Sequence, residues 1–204
     1  MPIPVKLPRP RCKRCLRPAS HCLCADISLL ANRTRVLVLQ HPDEARHPLN
    51  TARLAVLGLQ HAELLVGVAF PQLQEIIAAA QPACLLFPTE KQDTASPVAR
   101  ADGSGSSLLI VPDGTWRKAR QILRANPVLD TLPRLSLVPG EPSEYRIRKA
   151  TQPAAVSTIE AIVQALEILE PQGDFQPLLR PFRVMVQQQI DAMGEDVYRR
   201  NHAG

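Results

Sequence analysis

The sequence predicts an α/β fold with a mainly parallel sheet and flanking helices. Three observations carry that expectation. Short apolar, β-branched runs alternate along the chain with segments of helical period. The strand-like runs are apolar on successive residues, as strands covered on both faces are. A polar turn, Pro112-Asp113-Gly114-Thr115, joins one such run to an amphipathic helix, at the strand end where open α/β sheets bind ligands.

The elements follow in order. From Met1 to about Ala25 the chain is rich in Pro, Arg and Cys and has little periodicity, so it reads as an appendage. Residues 1–30 are therefore expected to form a Cys-rich, basic, zinc-binding segment, and residues 31–204 an α/β catalytic domain. Thr34 to Gln40 (TRVLVLQ) is a buried strand. Pro48 to Leu57 suits a helix ended by Gly58 at C′. Ala62 to Val68 is a second strand, and Pro71 to Gln81 a helix with proline in its first turn. Ala83 to Phe87 (ACLLF), Leu108 to Val111 (LLIV) and Pro133 to Val138 (PRLSLV) complete the strands. Thr89 to Ser107, polar and rich in Ser, Gly and Ala, is expected to be a surface loop. Thr115 to Asn126, Thr158 to Glu170 and Phe182 to Arg200 are expected helices. In the second of these Ile159, Ile162, Val163, Leu166 and Leu169 share one face.

Composition bounds the classes. A chain of 204 residues suffices for one core, alone or with a small appendage. Apolar residues make up 45%, which argues against wholesale disorder. Aromatics supply only 3%, so Leu, Ile, Val and Ala must build the core. Twenty prolines imply many element ends. No apolar run approaches the roughly 20 residues of a membrane span. The Pro- and Arg-rich start lacks the hydrophobic stretch of a secretory signal. A cytoplasmic protein is expected, in which thiols stay reduced.

The net charge is +5, and its placement matters more than its size. Lys6, Arg9, Arg11, Lys13, Arg14 and Arg17 precede Ala25 with no acid among them. Such a block suits a polyanion such as nucleic acid, or forms a solvated basic tail.

Cys12, Cys15, Cys22 and Cys24 fall within thirteen positions as C-x-x-C followed by C-x-C. Four thiolates this close can complete a tetrahedral zinc site if the chain folds back between the pairs. An iron–sulfur cluster and a redox pair are the alternatives. Metal binding would order a segment too short and polar to fold alone. Cys84, in an apolar strand, reads as a core residue.

On the helix after Gly114, Trp116, Ala119, Ile122 and Leu123 share one face and Arg117, Arg120 and Arg124 another. Asp113 and Trp116 either serve a ligand site or merely cap and pack.

Asp113, Thr115 and Trp116 form D-x-T-W at a strand-to-helix turn, and in this the chain resembles the DTW-domain family. The resemblance extends in order to the cysteine cluster, Gln40 to Glu44 (QHPDE), and Phe87 with Pro88. It continues through Ser143, Tyr145, Arg148 and Lys149 (S-x-Y-x-x-R-K) to Ser157 to Ala161 (STIEA). It implies a SPOUT-like knotted core and a tRNA-uridine aminocarboxypropyltransferase. Such an enzyme moves the 3-amino-3-carboxypropyl group of S-adenosylmethionine to N3 of a tRNA uridine, with methylthioadenosine departing.

That chemistry needs a base for the N3 proton, and Asp113 is the candidate. The methionine arm's carboxylate needs a donor, which Arg148 would supply with Ser143 and Tyr145 nearby. Trp116 would stack on a base or face the sulfonium. Gln40, His41, Phe87, Pro88, Thr115, Ser157 and Thr158 complete the expected cosubstrate and active-site set. Each has a plainer role open to it: Arg148 and Lys149 on phosphates, Tyr145 in packing, Thr158 as a helix cap, His41 and His47 bonded to loops. Two rivals to the whole reading stand: a methyltransferase of the same fold, and a non-catalytic zinc-dependent RNA-binding protein.

Overall fold

A computed structural model describes residues 10–80, 82–88, 107–137 and 156–194. Five strands form one sheet: β1 (Arg35–Gln40), β2 (Ala62–Val66), β3 (Ala83–Leu86), β4 (Leu108–Asp113) and β5 (Arg134–Leu135). Their order is β2-β1-β4-β3-β5, and every pairing is parallel. The helices are α1 (Pro42–Ala45), α2 (Thr51–Leu57), α3 (Leu73–Ala79), α4 (Trp116–Ala125), α5 (Thr158–Leu169) and α6 (Arg180–Met193).

The expected α/β class is what these elements build, and the alternation of side chains along a strand explains the layering. Val36 and Val38 of β1, with Leu109 and Val111 of β4, meet a core made with α2, α5 and α6. Leu37 and Leu39, with Leu108 and Ile110, face a second core closed by α3 and α4. Apolar side chains on both faces are why the strands read as continuous apolar runs. Phe175 and Phe182 are fully buried beside the aliphatic residues, so two of the four phenylalanines anchor the first core.

Several expected bounds shift. Strand β4 runs two residues past Val111 and includes Pro112 and Asp113. The proline is tolerated for a reason visible in the ladder. His41 N–H donates to the Asp113 carbonyl and Leu108 N–H to that of Pro82. Odd residues of β4 thus bond toward β1 and even residues toward β3. Pro112 therefore faces the β3 side, past the last β3–β4 pair, Leu85 with Ile110. Its missing N–H falls where the pairing with β3 stops, leaving the β1 ladder intact.

The helix expected from Pro48 starts at Thr51, because Asn50 caps it by accepting from Arg53 N–H. Gly58 ends α2 with φ −99°, not in the left-handed region expected of a C′ glycine. Its smallness serves packing instead, since a Cβ there would stand 2.5 Å from Leu178 Cδ1. The helix expected from Pro71 is Leu73–Ala79, and that expected from Phe182 is Arg180–Met193, beginning two residues earlier. The Thr89 to Ser107 loop, apart from Ser107, and the ends of the expected elements at Gln81, Val138 and beyond Gly194 lie outside the described residues. None of the helices among the described residues is long and apolar enough to cross a membrane.

The cysteine segment docks on this frame. Leu23 has no exposed surface and belongs to the core shared with α2 and α5. The Arg17 guanidinium donates to the carbonyls of His21 and Pro48 and to Gln188 Oε1 on α6. One of the cations of the basic block thus fastens the segment to the body.

Candidate active site

Where β1 and β4 end side by side, the alternation that buries Val36, Val38, Leu109 and Val111 places Gln40 and Asp113 next on the same face. Polar side chains replace apolar ones there, and both are buried. Asp113 is only 8% exposed, so its oxygens need partners. Gln40 Nε2 donates to Asp113 Oδ2 at 2.7 Å, and the Thr158 hydroxyl donates to Oδ1. The carboxylate is thereby fixed in rotation by two segments far apart in sequence.

Asn50 orients Gln40 in turn. Gln40 Nε2 donates to Asn50 Oδ1 at 3.0 Å, and Asn50 Nδ2 donates back to Gln40 Oε1 at 3.1 Å. A flipped Gln40 amide would set its oxygen against the carboxylate, so the reciprocal pair admits one orientation. Asn50 Nδ2 also reaches the Glu44 carbonyl. The cleft above is lined by Glu44, His47, Asn50, Asp113, Ser157 and Thr158, among others.

The cap of α5 is Ser157, not Thr158. Ser157 N–H and Oγ–H both donate to Glu160 Oε2, at 2.7 and 2.6 Å, in a capping box. With the cap filled one residue earlier, Thr158 is free to serve Asp113. The N-terminal end of α5 also favours negative charge at that position.

Gly114 makes the turn out of β4 at φ +153°, and a Cβ there would lie 2.9 Å from Lys118 Cβ. Thr115 caps α4 by accepting from Lys118 N–H. Lys118 Nζ bonds Glu44 Oε1 at 2.9 Å and lies 3.4 Å from Asp43 Oδ2. Its ammonium is raised above its usual pKa, chiefly by the Glu44 hydrogen bond. The DTW turn and the QHPDE segment are thus tied by one lysine. His41 is buried and caps α1, accepting from Asp43 N–H at Nδ1.

Trp116 does not share the burial of Ala119, Ile122 and Leu123. Those three are buried, whereas Trp116 is 41% exposed and meets Phe87 edge-on at 5.7 Å. Trp116 is the first residue of α4, ahead of the turn that lies on the sheet. The Arg134 guanidinium lies 5.6 Å over Phe87 and donates to the Pro88 carbonyl. Trp116 is thus an exposed ring seated on a half-buried one, a surface on which a planar base can stack.

In the cysteine segment the four Sγ atoms all lie within 4.8 Å of one another, with Cys12–Cys24 at 3.6 Å and Cys15–Cys22 at 3.8 Å. Four sulfurs at about 2.3 Å from one zinc would stand about 3.8 Å apart, so the donor set fits a single tetrahedral ion. Ligands of a multi-iron cluster attach to separate metals and are not drawn together in this way. Leu16, at φ 60°, adopts the left-handed conformation in the turn after Cys15, a cost of about 1–2 kcal/mol that ligation can offset. Backbone N–H groups at Cys15 and Arg14 hold the Cys12 thiol down to about 6, while burial pushes Cys24 up to about 12. Cys84 is a buried core thiol, pushed up to about 11 by desolvation.

Of the expected residues, Gln40, Asp113 and Thr158 meet directly, with Ser157 in the same cleft. Phe87, Pro88 and Trp116 form a separate surface, and Thr115 and His41 act as caps. Ser143, Tyr145, Arg148 and Lys149 lie outside the described residues. Asn50 and Lys118 were not anticipated. Asn50 carried one signal, an Asn-Thr pair ahead of a helical run, where a cap belongs. Lys118 carried none, because its partners precede it by more than seventy residues.

The fold and site define an open parallel α/β protein with its polar cluster at the strands' C-terminal ends. The chain belongs to the DTW domain family, whose model matches residues 9–190. It is 32% identical over 195 residues to tRNA-uridine aminocarboxypropyltransferase 2 of Drosophila melanogaster, covering 90% of this chain and 76% of that one. It is 28% identical to the enzyme of that name from Macaca fascicularis, covering 93% and 67%. With tRNA-uridine aminocarboxypropyltransferase A of Arabidopsis thaliana it shares 29% identity over 80% of this chain and 74% of the other. No solved structure matches.

Proposed function

We propose that this protein is a tRNA-uridine aminocarboxypropyltransferase that uses S-adenosylmethionine. The observation that carries the proposal is the Asp113 cluster, in which the D-x-T-W, QHPDE and STIEA segments converge on one buried carboxylate. Relatives of the same family, aligned over most of this chain, bear that activity in their names.

In the proposed reaction the uridine N3 attacks the γ-carbon of the methionine arm. The N3–C bond forms as the C–S bond breaks, its electron pair passes to sulfur, and neutral methylthioadenosine leaves. Asp113 accepts the N3 proton; Gln40 and Thr158 hold its oxygens toward the cleft, and Asn50 holds Gln40. Trp116 and Phe87 stack a base or face the sulfonium. Arg148, with Ser143 and Tyr145, grips the arm's carboxylate. His41, Pro88, Thr115 and Ser157 shape the surrounding loops.

The proposal includes a structural zinc on Cys12, Cys15, Cys22 and Cys24, which would order the basic segment of residues 1–30 beside the catalytic domain of residues 31–204. A SPOUT-like knotted core, an RNA-binding surface and a cytoplasmic location belong to the same reading.

The by-product separates this reaction from its rival. Incubated with tRNA and S-adenosylmethionine, the protein should release methylthioadenosine, resolved by liquid chromatography. Release of S-adenosylhomocysteine would make it a methyltransferase.

A further inference from the structure

We infer that the cleft between the cysteine segment and α2 binds a phosphodiester of the RNA beside the target uridine; this rests on the RNA substrate proposed above. The cleft is lined by Arg11, Arg17, His47, Asn50 and Arg53, and none of its lining residues is acidic. Two of the lining residues, His47 and Asn50, also line the Asp113 cleft. An anion held here would be neighbour to whatever enters the proposed active site.

Three features make it a binding site and not a solvated basic face. Arg53 Nε is buried with no hydrogen-bond partner, an arrangement that costs free energy unless an acceptor arrives. His47 Nδ1 accepts from Leu49 N–H, which leaves Nε2 as a donor in the neutral ring. Arg17, bonded to the Pro48 carbonyl and to Gln188, holds the two walls at a fixed separation. The neighbouring acids are already engaged, Asp43 and Glu44 with Lys118 and Asp26 with Arg180.

The number of cations favours one kind of anion. Besides Arg53 and Arg11 in the cleft lining, Lys13 and Arg14, two and three residues on from Arg11, are exposed cations. A single carboxylate would use only one or two of these charges. A nucleic-acid backbone, with repeated charges, can engage several of them at once.

The test is tRNA binding by the full-length, metal-loaded chain, measured by fluorescence anisotropy between 50 and 200 mM salt. Variants are Arg11→Gln, whose exposed side chain is outside the core, Arg53→Gln, and Arg53→Lys as the charge-conserving control. Each lost phosphate contact should lower the salt slope by about 0.7–0.9, so that affinity falls about threefold less across that salt range. Arg53→Lys should keep the slope while weakening binding. Calorimetric affinity for S-adenosylmethionine should stay at the wild-type value in all three. Wild-type slopes in Arg11→Gln and Arg53→Gln would overturn the inference. So would lost S-adenosylmethionine affinity with unchanged tRNA slopes, which would give the cleft to the cosubstrate's carboxylate. A wild-type chain that binds no tRNA would sink the RNA reading itself, and this inference with it.

Discussion

Gln40 Nε2 stands 2.7 Å from Asp113 Oδ2 across the C-terminal ends of adjacent parallel strands. Both side chains occupy positions where the strand pattern calls for apolar residues, and each is buried. The carboxylate is held by Gln40 and Thr158 and faces a cleft, which suits a group that receives a proton from a bound substrate. Asp113→Asn keeps the shape and removes the basic oxygen. Turnover should fall about 10²- to 10⁴-fold, with the thermal midpoint within a few degrees of wild type. Paired kinetics and calorimetry check this. An active Asp113→Asn enzyme would assign the proton to another group.

Thr158 separates positioning from stability, because Ser157 is the residue that caps α5. Thr158→Val should lower kcat about tenfold and alter the pH profile of kcat, since Asp113 loses a donor to its charged form. Thr158→Ser should restore both. Ser157→Ala should instead cost about 1 kcal/mol of stability through the lost cap.

Gly114→Ala introduces a Cβ 2.9 Å from Lys118 Cβ at φ +153°. The contact is with the root of a side chain, which cannot swing away. A loss of about 1–3 kcal/mol is expected, read by urea unfolding, with a larger effect on activity than on fold because the turn carries Asp113 and Trp116.

The single tryptophan is half-exposed, so its emission should be that of a solvated indole. Added tRNA should quench it if a base stacks on Trp116. Trp116→Ala should lose about 1–3 kcal/mol of RNA binding, and Trp116→Phe, which keeps a smaller ring against Phe87, should lose less. Unchanged emission at saturating tRNA would remove Trp116 from the RNA-facing surface.

Thiol titration tests the metal centre. In the metal-loaded protein at pH 8 the cluster thiols should react slowly; a chelator should unfold the segment, which removes the burial that raises Cys24, and release four reactive groups, matching Cys12, Cys15, Cys22 and Cys24. Cys84 should stay silent until denaturation. Its pKa is pushed up to about 11 by burial, so at pH 8 it holds its proton, and the thiolate needed for reaction forms only well above that pH. Four fast thiols before chelation would contradict metal occupancy.

The sheet was legible because apolar runs bounded by turns carry their own length and period. The DTW turn was legible because strand, tight turn and capped helix lie consecutively in the chain. What escaped was set by long-range contacts. Lys118 finds Asp43 and Glu44 only once β1 and β4 pair. Trp116 falls on the helical face of Ala119 and Ile122, yet its place in the first turn of α4 carries it off the sheet. Gly58 reads as a helix terminator, whereas Leu178 closing over it from far along the chain sets the need for a small residue. The capping role passes from Thr158 to Ser157 because Glu160 stands three residues after Ser157, a spacing that was present in the sequence.

The most direct test of the central claim is mass spectrometry of nucleosides from tRNA incubated with purified protein and S-adenosylmethionine. The account predicts a uridine heavier by one 3-amino-3-carboxypropyl group, formed by the wild type and lost with Asp113→Asn. A methyl-sized gain, or no gain on any tRNA, would contradict it.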